Sequence, residues 1–183
     1  MNYFLKYAYT ATIKRLENKM GNKKIKLDIY TDGACSRNGK GNAKGGWSYC
    51  VTNGMEVLKT SYGGVYNTTN NRMELLAIVN ALKEVEKKVR KGTTFENNNY
   101  SLRIFSDSAY AVNGINKRWV KSWINNGWKT NRGTDVLNKD LWEIINNYDS
   151  ILNFQLIHVR GHNGDRFNEL CDRLAKQGIN ELD

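Results

Sequence analysis

The alternation of apolar and more polar residues starts at Ile25 and predicts the first strand of the chain. Residues 25–29 have the two-residue period of a half-buried β-strand. Two further apolar runs, at 47–52 and 55–60, flank Asn53-Gly54, and Asn-Gly between such runs is a strong hairpin signal. The pattern therefore predicts three antiparallel strands at the start of a domain.

A helical period follows these strands. Apolar residues recur three and four positions apart from Leu75 to Val89, and the basic run at 87–91 is typical of a helix C-terminus. We expect Asn70 or Asn71 to cap this helix at its start. Further strands are predicted at 102–106 and 154–159, and further helices at 108–115, 117–125, 135–148 and from 165–168 onward.

This order of elements predicts an α/β fold. An antiparallel opening followed by strand–helix–strand alternation favours a five-stranded mixed sheet, with three antiparallel strands, then parallel strands, and helices on both faces. We assign residues 24–183 to this domain. Residues 1–23 show no long periodic pattern and are expected to form a flexible tail. A mitochondrial presequence and an auxiliary substrate contact through Tyr3 and Tyr7 are the alternatives for this segment.

The chain carries a large positive charge. Its 28 Lys and Arg against 18 Asp and Glu give a formal net charge of +10 over 183 residues. Such an excess favours a polyanionic partner, of which nucleic acid is the commonest. Solubility alone and attraction to an anionic membrane are the alternatives, and charge does not choose among them.

The cysteines and the hydropathy restrict the compartment. Cys35, Cys50 and Cys171 lack the spacing of a metal site and are odd in number, which favours free thiols in a reducing compartment. We expect a monomer in the cytoplasm, or in the nucleus or mitochondrion if the source is eukaryotic. No run of 18 apolar residues occurs, so no membrane contact is expected.

Four acidic residues stand out because of their positions on the predicted elements. Asp32 and Asp107 end the first and fourth strands, Glu74 lies in the first turns of the long helix, and Asp172 lies in the last helix. Each has a local alternative: a turn at Asp32, a capping box at Glu74, a helix cap at Asp107, and an exposed i,i+4 ion pair at Asp172.

Considered together, the four acids indicate a metal site. Neighbouring strands would bring Asp32 and Asp107 close together, and the long helix would add Glu74 to them. Clustered carboxylates repel one another unless cations neutralise them. All-oxygen ligands suit Mg²⁺ or Mn²⁺, and two such ions assist cleavage of a phosphodiester. An acidic site within a basic chain is what a metal-dependent nuclease needs.

Five short motifs contain these acids or lie between them. In chain order they are Asp32-Gly33, Thr69-Asn70-Asn71-Arg72-Met73-Glu74-Leu75, Ser106-Asp107-Ser108, Gly161-His162 and Asn168-Glu169-x-x-Asp172. In this order they resemble the ribonuclease H family, type-one branch, over roughly residues 25–180. Each motif alone is weak, but five in order on the predicted elements are highly specific.

The resemblance implies a ribonuclease H-like catalytic domain that hydrolyses the RNA strand of an RNA–DNA hybrid. It implies two Mg²⁺ ions, with Mn²⁺ as the alternative, and products with 5′-phosphate and 3′-hydroxyl ends. In this family pattern Asp32 and Asp107 lie near both ions, Glu74 binds one ion and Asp172 binds the other. His162, in a flexible segment after the fifth strand, assists proton transfer or product release.

A basic segment with tryptophans, residues 117–129, is a second shared feature. Trp119 and Trp123 are one helical turn apart and so lie on one face. A core stripe is the alternative, because tryptophan usually packs inside. Interleaved Lys and Arg favour an exposed face against nucleic acid. The segment resembles the family's basic protrusion, where such tryptophans pack against deoxyribose of the DNA strand.

The resemblance also implies contacts to the minor groove of the hybrid. The residues concerned are Cys35, Asn38, Asn70 and Asn71, and asparagine is able to hydrogen-bond base edges there without demanding a sequence. The glycine loop at 37–46 resembles the eukaryotic form in length.

A pocket for a DNA phosphate is implied in the same way. Thr69 and Asn138 match it, but Asn67 stands where this pocket usually has arginine. Lys44 and Arg132 are the alternative sources of positive charge for it.

Two other functions are compatible with a chain of this kind. A non-catalytic hybrid-binding module of the same fold is the first, and degenerate copies of that kind lose acids that this chain keeps. A relative that cuts or joins DNA is the second, and such relatives lack the Trp119/Trp123 protrusion and the Asn70-Asn71 pair. The site residues therefore favour the enzyme.

Overall fold

The computed structural model describes residues 25–38, 40–89 and 100–182. The expectations for residues 1–23 and for the basic end of the long helix beyond residue 89 lie outside this part. The described residues form five strands, β1 (Ile25–Ser36), β2 (Lys44–Thr52), β3 (Val57–Tyr66), β4 (Tyr100–Ser106) and β5 (Phe154–His158). They also form five helices, α1 (Asn70–Val89), α2 (Ala109–Asn116), α3 (Trp119–Asn125), α4 (Lys139–Leu152) and α5 (Arg166–Asn180).

The strands form one mixed sheet in the order β3-β2-β1-β4-β5. β1 pairs antiparallel with β2, and β2 pairs antiparallel with β3. β4 lies parallel to β1, and β5 lies parallel to β4. The predicted fold class is therefore confirmed. None of the described helices is long and apolar enough to cross a bilayer.

Alternating residues of β1 face two different layers of helices. Leu27 and Ile29 are buried in the main core, which α1, α2 and α4 cover. Tyr30, the residue directly after Ile29, packs with Phe167 and Cys171 of α5 in a second cluster. Because successive strand residues point to opposite faces, helices cover both faces of the sheet, as predicted.

Helix α1 packs on the main core through the stripe that the periodicity predicts. Its position matters because α1 carries Glu74 over β1. The buried apolar members of the stripe are Leu75, Ile78, Val79, Leu82 and Val85.

The hairpin between β2 and β3 differs in detail from the prediction. β2 already begins at Lys44, and the loop has four residues, 53–56, rather than two. Asn53 Oδ1 accepts hydrogen bonds from the backbone N–H groups of Met55 and Glu56, both at 2.9 Å. The asparagine thus stabilises a longer loop than the two-residue turn that Asn-Gly favours.

The residue that caps the start of α1 also differs from the prediction. Thr69 caps the helix, because its Oγ1 accepts a hydrogen bond from the backbone N–H of Arg72 at 3.3 Å. Asn70 is already the first helical residue, and Asn71 follows it. Both asparagine side chains are therefore available for other contacts.

Three other helices begin later than the sequence pattern predicts. Ser108 caps α2, since its Oγ accepts from the backbone N–H three residues later at 3.2 Å, so the cap alternative for Asp107 is wrong. The helices expected at 117–125 and 135–148 begin at Trp119 and Lys139 instead. Residues 129–138 form turns and an isolated bridge ahead of α4, which runs on to Leu152.

Candidate active site

Three carboxylates from three different parts of the fold meet at one end of the sheet. Asp32 lies on β1, Glu74 on α1 and Asp107 directly after β4. One carboxylate oxygen of each lies within 4.8 Å of the other two. Asp32 is 6% exposed and Glu74 is 5% exposed, while Asp107 is half-buried. We call these three residues the acid cluster.

Adjacent parallel strands bring the two aspartates of the cluster together. Asp32 is the first residue of β1 beyond its parallel pairing with β4, and Asp107 is the first residue beyond the end of β4. β1 nevertheless continues to Ser36 beside β2, so Asp32 lies inside the strand. The expectation that Asp32 ends its strand, and the turn alternative for Asp32-Gly33, are both wrong.

A close approach at Gly33 brings Glu74 to the same place. A Cβ at Gly33 would lie 2.2 Å from the backbone nitrogen of Glu74 and 2.4 Å from the carbonyl carbon of Met73. Only glycine lets α1 cross β1 at this distance. Glu74 therefore faces the aspartates, where its Oε1 accepts a hydrogen bond from Asn70 Nδ2 at 3.4 Å. The capping-box alternative is wrong, because Glu74 lies five positions beyond the Thr69 cap instead of three.

Burial and mutual repulsion disfavour the charged forms of the cluster. Burial, and then the charges of Asp107 and Asp172, raise the pKa of Asp32 from 3.8 to about 7. The backbone N–H of Gly33, 2.7 Å from Asp32 Oδ1, acts in the opposite direction. Burial, followed by the charges of the two aspartates in the cluster, also raises the pKa of Glu74 well above its usual range. The cluster therefore resists carrying three negative charges unless a cation is near.

Asp172 lies at the edge of the acid cluster. Its charge raises the pKa of Asp32, but among the described acids only the three clustered residues lie within 4.8 Å of one another. Asp172 Oδ2 accepts a hydrogen bond from Lys176 Nζ at 2.7 Å, one helical turn away. The i,i+4 pair is therefore present. Lys176 is 58% exposed and the side chain of Asp172 is 20% exposed, so the pair lies at the surface with its carboxylate turned partly inward.

The donor set of the cluster fits a hard divalent cation. All three side chains offer carboxylate oxygens, which Mg²⁺ and Mn²⁺ prefer. Glu74 Oε2 is buried and has no hydrogen-bond partner among the described residues. Because a buried carboxylate oxygen without a partner is costly, this atom fits a cation as its missing partner.

Comparison with known proteins identifies the family of the chain. The RNase H family model matches residues 24–180. Ribonuclease H of Syntrophomonas wolfei is 42% identical over 154 residues, which are 84% of this chain and 96% of that protein. The chain belongs to the ribonuclease H family. This membership supports the enzyme over a non-catalytic hybrid-binding module. Ribonucleases H depend on metal ions, and the acid cluster is a group of oxygen ligands able to hold them.

Solved structures share the architecture of this ribonuclease H. LC9-RNase H1, a type 1 RNase H with the type 2 active-site motif, has a TM-score of 0.67 and 28% identity, over 87% of this chain and 74% of that one. LC11-RNase H1 in complex with RNA/DNA hybrid has a TM-score of 0.62 and 19% identity, over 85% of this chain and 98% of that one. At the lower identity the likeness shows the fold alone.

The turn after β5 passes directly beside Asp107. A Cβ at Gly161 would lie 2.6 Å from Asp107 Oδ2, so the absence of a side chain leaves room for the carboxylate. His162 follows, exposed and with a φ of 52°. His158, at the end of β5, has its Nε2 3.2 Å from the backbone carbonyl oxygen of Asp107. Sequence reasoning missed His158, because this contact joins residues 51 positions apart.

The expected minor-groove residues surround the start of α1. Asn38 Oδ1 accepts a hydrogen bond from the backbone N–H of Asn70 at 2.9 Å, which ties the glycine loop to the helix. Asn70 in turn contacts Glu74, so the loop is linked to the acid cluster. Cys35 is half-buried and Asn71 is exposed. Of these side chains, Asn70 contacts the acid cluster directly, and Asn38 is joined to it through the backbone of Asn70.

The two expected phosphate-pocket residues, Thr69 and Asn138, both contact Arg72. Thr69 Oγ1 accepts from the backbone N–H of Arg72, and Asn138 Oδ1 accepts from its Nη1, both at 3.3 Å. Asp140 holds the guanidinium through two further bonds of 2.9 and 2.6 Å. Asn67 is exposed and has a φ of 53°. Sequence reasoning assigned no role to Arg72 or Asp140, although Arg72 lies inside one of the five motifs.

Trp119 and Trp123 lie on one side of α3, with ring centroids 6.2 Å apart. Trp123 also meets the buried Trp142 edge-on at 5.7 Å, so the core alternative is correct for one edge of Trp123. Both rings remain half-buried and line an open groove of about 690 Å³. The other residues that line this groove are Ser122, Thr130, Asn131, Arg132 and Thr134. Aromatic faces beside a cation and small polar groups suit a nucleic-acid strand.

Proposed function

We propose that Asp32, Glu74 and Asp107 hold two Mg²⁺ ions, with Asp172 completing the ligand set and Mn²⁺ able to substitute. The observation that supports this most is the buried carboxylate cluster with an unpartnered oxygen on Glu74. Bound cations would neutralise the repulsion that raises the pKa of Asp32 and of Glu74. The positive charge of Lys176, which is paired with Asp172, would then partly offset the negative charge of Asp172 at the edge of the site.

The chemistry that this site serves is hydrolysis of the RNA strand of an RNA–DNA hybrid. Ions held by Asp32, Glu74 and Asp107 would supply activation of the attacking water and stabilisation of the leaving oxygen, and the products would carry 5′-phosphate and 3′-hydroxyl ends. His162 lies exposed on the turn that passes Asp107, and a histidine is able to exchange a proton near neutral pH. We assign it to proton transfer or product release.

The hybrid would lie across the acid cluster and the tryptophan groove. Cys35, Asn38, Asn70 and Asn71 would face the minor groove, because they border the acids at the start of α1. Trp119 and Trp123 would pack against deoxyribose along the groove that they line. Thr69 and Asn138 would hold a DNA phosphate. The complex of LC11-RNase H1 with RNA/DNA hybrid supports this partner for the shared fold.

The cysteines bear on the cellular compartment of the protein. Cys35, Cys50 and Cys171 are all free thiols, and the last two are buried. Free thiols suit the reducing cytoplasm, where we place the protein as a monomer.

One gel assay tests the proposed function. Labelled RNA–DNA hybrid, double-stranded RNA, double-stranded DNA and single strands are incubated with the protein in Mg²⁺, in Mn²⁺ or in chelator. We expect only the RNA strand of the hybrid to be cut, only with metal, and its fragments to be degraded by a 5′-phosphate-dependent exonuclease. Cleavage in chelator, or equal cleavage of the other duplexes, would contradict the proposal.

A further inference from the structure

We infer that Arg72 is a positioning residue of the DNA-phosphate pocket: it occupies the acceptor atoms of Thr69 and Asn138, so that both side chains present their hydrogen-bond donors to a phosphate. The inference rests on the phosphate pocket of the proposed function. Arg72 itself is placed behind the pocket and does not contact the phosphate.

Thr69 is engaged through the backbone of Arg72. A threonine hydroxyl has one donor hydrogen and two acceptor lone pairs. The backbone N–H of Arg72 donates to Thr69 Oγ1 at 3.3 Å, and the Thr69 hydroxyl has no acceptor among the described residues. Thr69 is exposed. Because a phosphate offers only acceptor oxygens at neutral pH, the free O–H is the group that it needs.

Asn138 is engaged through the side chain of Arg72. Nη1 of Arg72 donates to Asn138 Oδ1 at 3.3 Å, across 66 positions of sequence. An amide carries its oxygen and its NH₂ group on opposite sides, so a fixed oxygen also fixes where the two N–H donors point. Asn138 precedes α4 but makes no capping hydrogen bond with its side chain. Its NH₂ group donates to none of the described residues and is therefore available to a phosphate.

Asp140 keeps Arg72 in this position. The two carboxylate oxygens of Asp140 accept from both terminal nitrogens of the guanidinium, at 2.9 and 2.6 Å. A two-pronged pair of this kind fixes the plane of the arginine. It also neutralises the arginine charge, so this part of the pocket acts through oriented neutral donors. A pocket of that kind is consistent with the neutral Asn67 at the position where the family pattern implies an arginine.

The test uses hybrids in which one DNA phosphate at a time is replaced by an uncharged methylphosphonate. Dissociation constants are measured with Ca²⁺ in place of Mg²⁺ to block cutting. For the wild-type protein we expect one position at which the substitution weakens binding about tenfold, the size of one hydrogen bond to a charged group. For Arg72→Lys, which has one terminal nitrogen and cannot hold Asp140 and Asn138 together, we expect about threefold or less at that position. Asn138→Ala should remove the same sensitivity.

The chain offers a matched control for the loss of an arginine clamp. Arg103 holds Asp28 through two bonds of 2.7 and 2.5 Å on the strands β1 and β4. Arg103→Lys should keep the tenfold sensitivity, which separates positioning from a general loss of stability. If Arg72→Lys does not fold, Asp140→Asn, which weakens the same clamp, takes its place with the same expectation.

Three results would overturn the inference. The first is a tenfold sensitivity that persists in Arg72→Lys or Asp140→Asn. The second is a sensitivity that grows in Asp140→Asn together with a steeper salt dependence, which would mean that Arg72 contacts the phosphate directly. The third is a wild-type protein without any sensitive DNA phosphate. The gel assay measures cleavage by the wild-type protein separately. If the wild type cuts hybrid as expected and any of these three results is found, the inference fails while the nuclease function stands.

Discussion

Replacing Asp32 with asparagine should stabilise the metal-free protein at neutral pH. Asp32 is buried beside Glu74 and Asp107, and its pKa rises from 3.8 to about 7 on folding, chiefly because of burial. One pKa unit corresponds to about 1.4 kcal/mol, so ionising Asp32 in the folded, metal-free protein costs roughly 4 kcal/mol. Asparagine keeps nearly the same shape without the charge.

The direction of the pH dependence follows from the raised pKa. Between pH 4 and 7 the unfolded chain releases the Asp32 proton more readily than the folded protein does. The folded state then binds more protons, so the free energy of unfolding falls as pH rises. The stabilisation is complete below the unfolded value of 3.8 and lost above about 7. Removing the Asp32 charge also removes one cause of the raised pKa of Glu74. Ionising Glu74 then costs less free energy in the folded variant, which likewise makes the variant more stable than the wild type at the higher pH.

Urea unfolding, followed by tryptophan fluorescence, measures this effect. Both proteins are unfolded in chelator at several pH values from 4 to 8, and again with Mg²⁺. In chelator we expect the two to be similar at pH 4 and the variant to be more stable at pH 8, by up to roughly 4 kcal/mol. Mg²⁺ should raise the stability of the wild type more than that of the variant, because the variant lacks a ligand charge. Asp149→Asn, outside the acid cluster, is the matched control.

Two results would refute this reasoning. One is a difference in unfolding free energy between wild type and Asp32→Asn that is the same at pH 4 and pH 8. The other is a wild-type protein that is the more stable of the two at pH 8 in chelator. Either result would mean that the cluster does not strain the metal-free fold.

Further substitutions test other parts of the molecule. Asp107→Asn should abolish cleavage in Mg²⁺ while hybrid binding in Ca²⁺ survives, because it removes a ligand charge and no surface contact; near-wild-type cleavage would contradict its role. Gly33→Ala should lower both the melting temperature and the cleavage rate, since its Cβ would lie 2.2 Å from the Glu74 nitrogen, and unchanged values would show that α1 is able to shift. Asn67→Arg should tighten hybrid binding with a salt dependence steeper by about one unit of slope. Because residue 67 has a left-handed backbone, Asn67→Arg should also lower the free energy of unfolding by about 1 kcal/mol. An unchanged dissociation constant and an unchanged salt slope would exclude a phosphate contact at residue 67. A protein that begins at Lys23 should fold and cut at low salt with little change in rate, and a large loss would assign the preceding residues to the working domain.

Much of the architecture was predictable because burial on one face of a strand or helix produces a periodic pattern of apolar residues in the local sequence. A face buried on one side produces a period of two in a strand and of 3.6 in a helix, which is how the sheet and the stripe of α1 were found. The order of five motifs indicated the family, and the periodicity placed Glu74 on the long helix and Asp107 at the end of the fourth strand. The positions of Trp119 and Trp123, four apart between basic residues, likewise indicated one shared face.

The tertiary structure alone decided the features that depend on distant residues. Whether Asp32 ends β1 depends on how far β2 continues to pair with it, and no local period records that length. The start of α1 at Asn70 depends on which hydroxyl reaches a free N–H, and Thr69 is better placed than the asparagines. Arg72 meets Asp140 across 68 positions, and a charged pair at that separation leaves no periodic signal. Such contacts arise only when packing of the core brings α1 against α4. The sequence pattern assigned the phosphate pocket to single residues, but in the structure α1 and the start of α4 form it together.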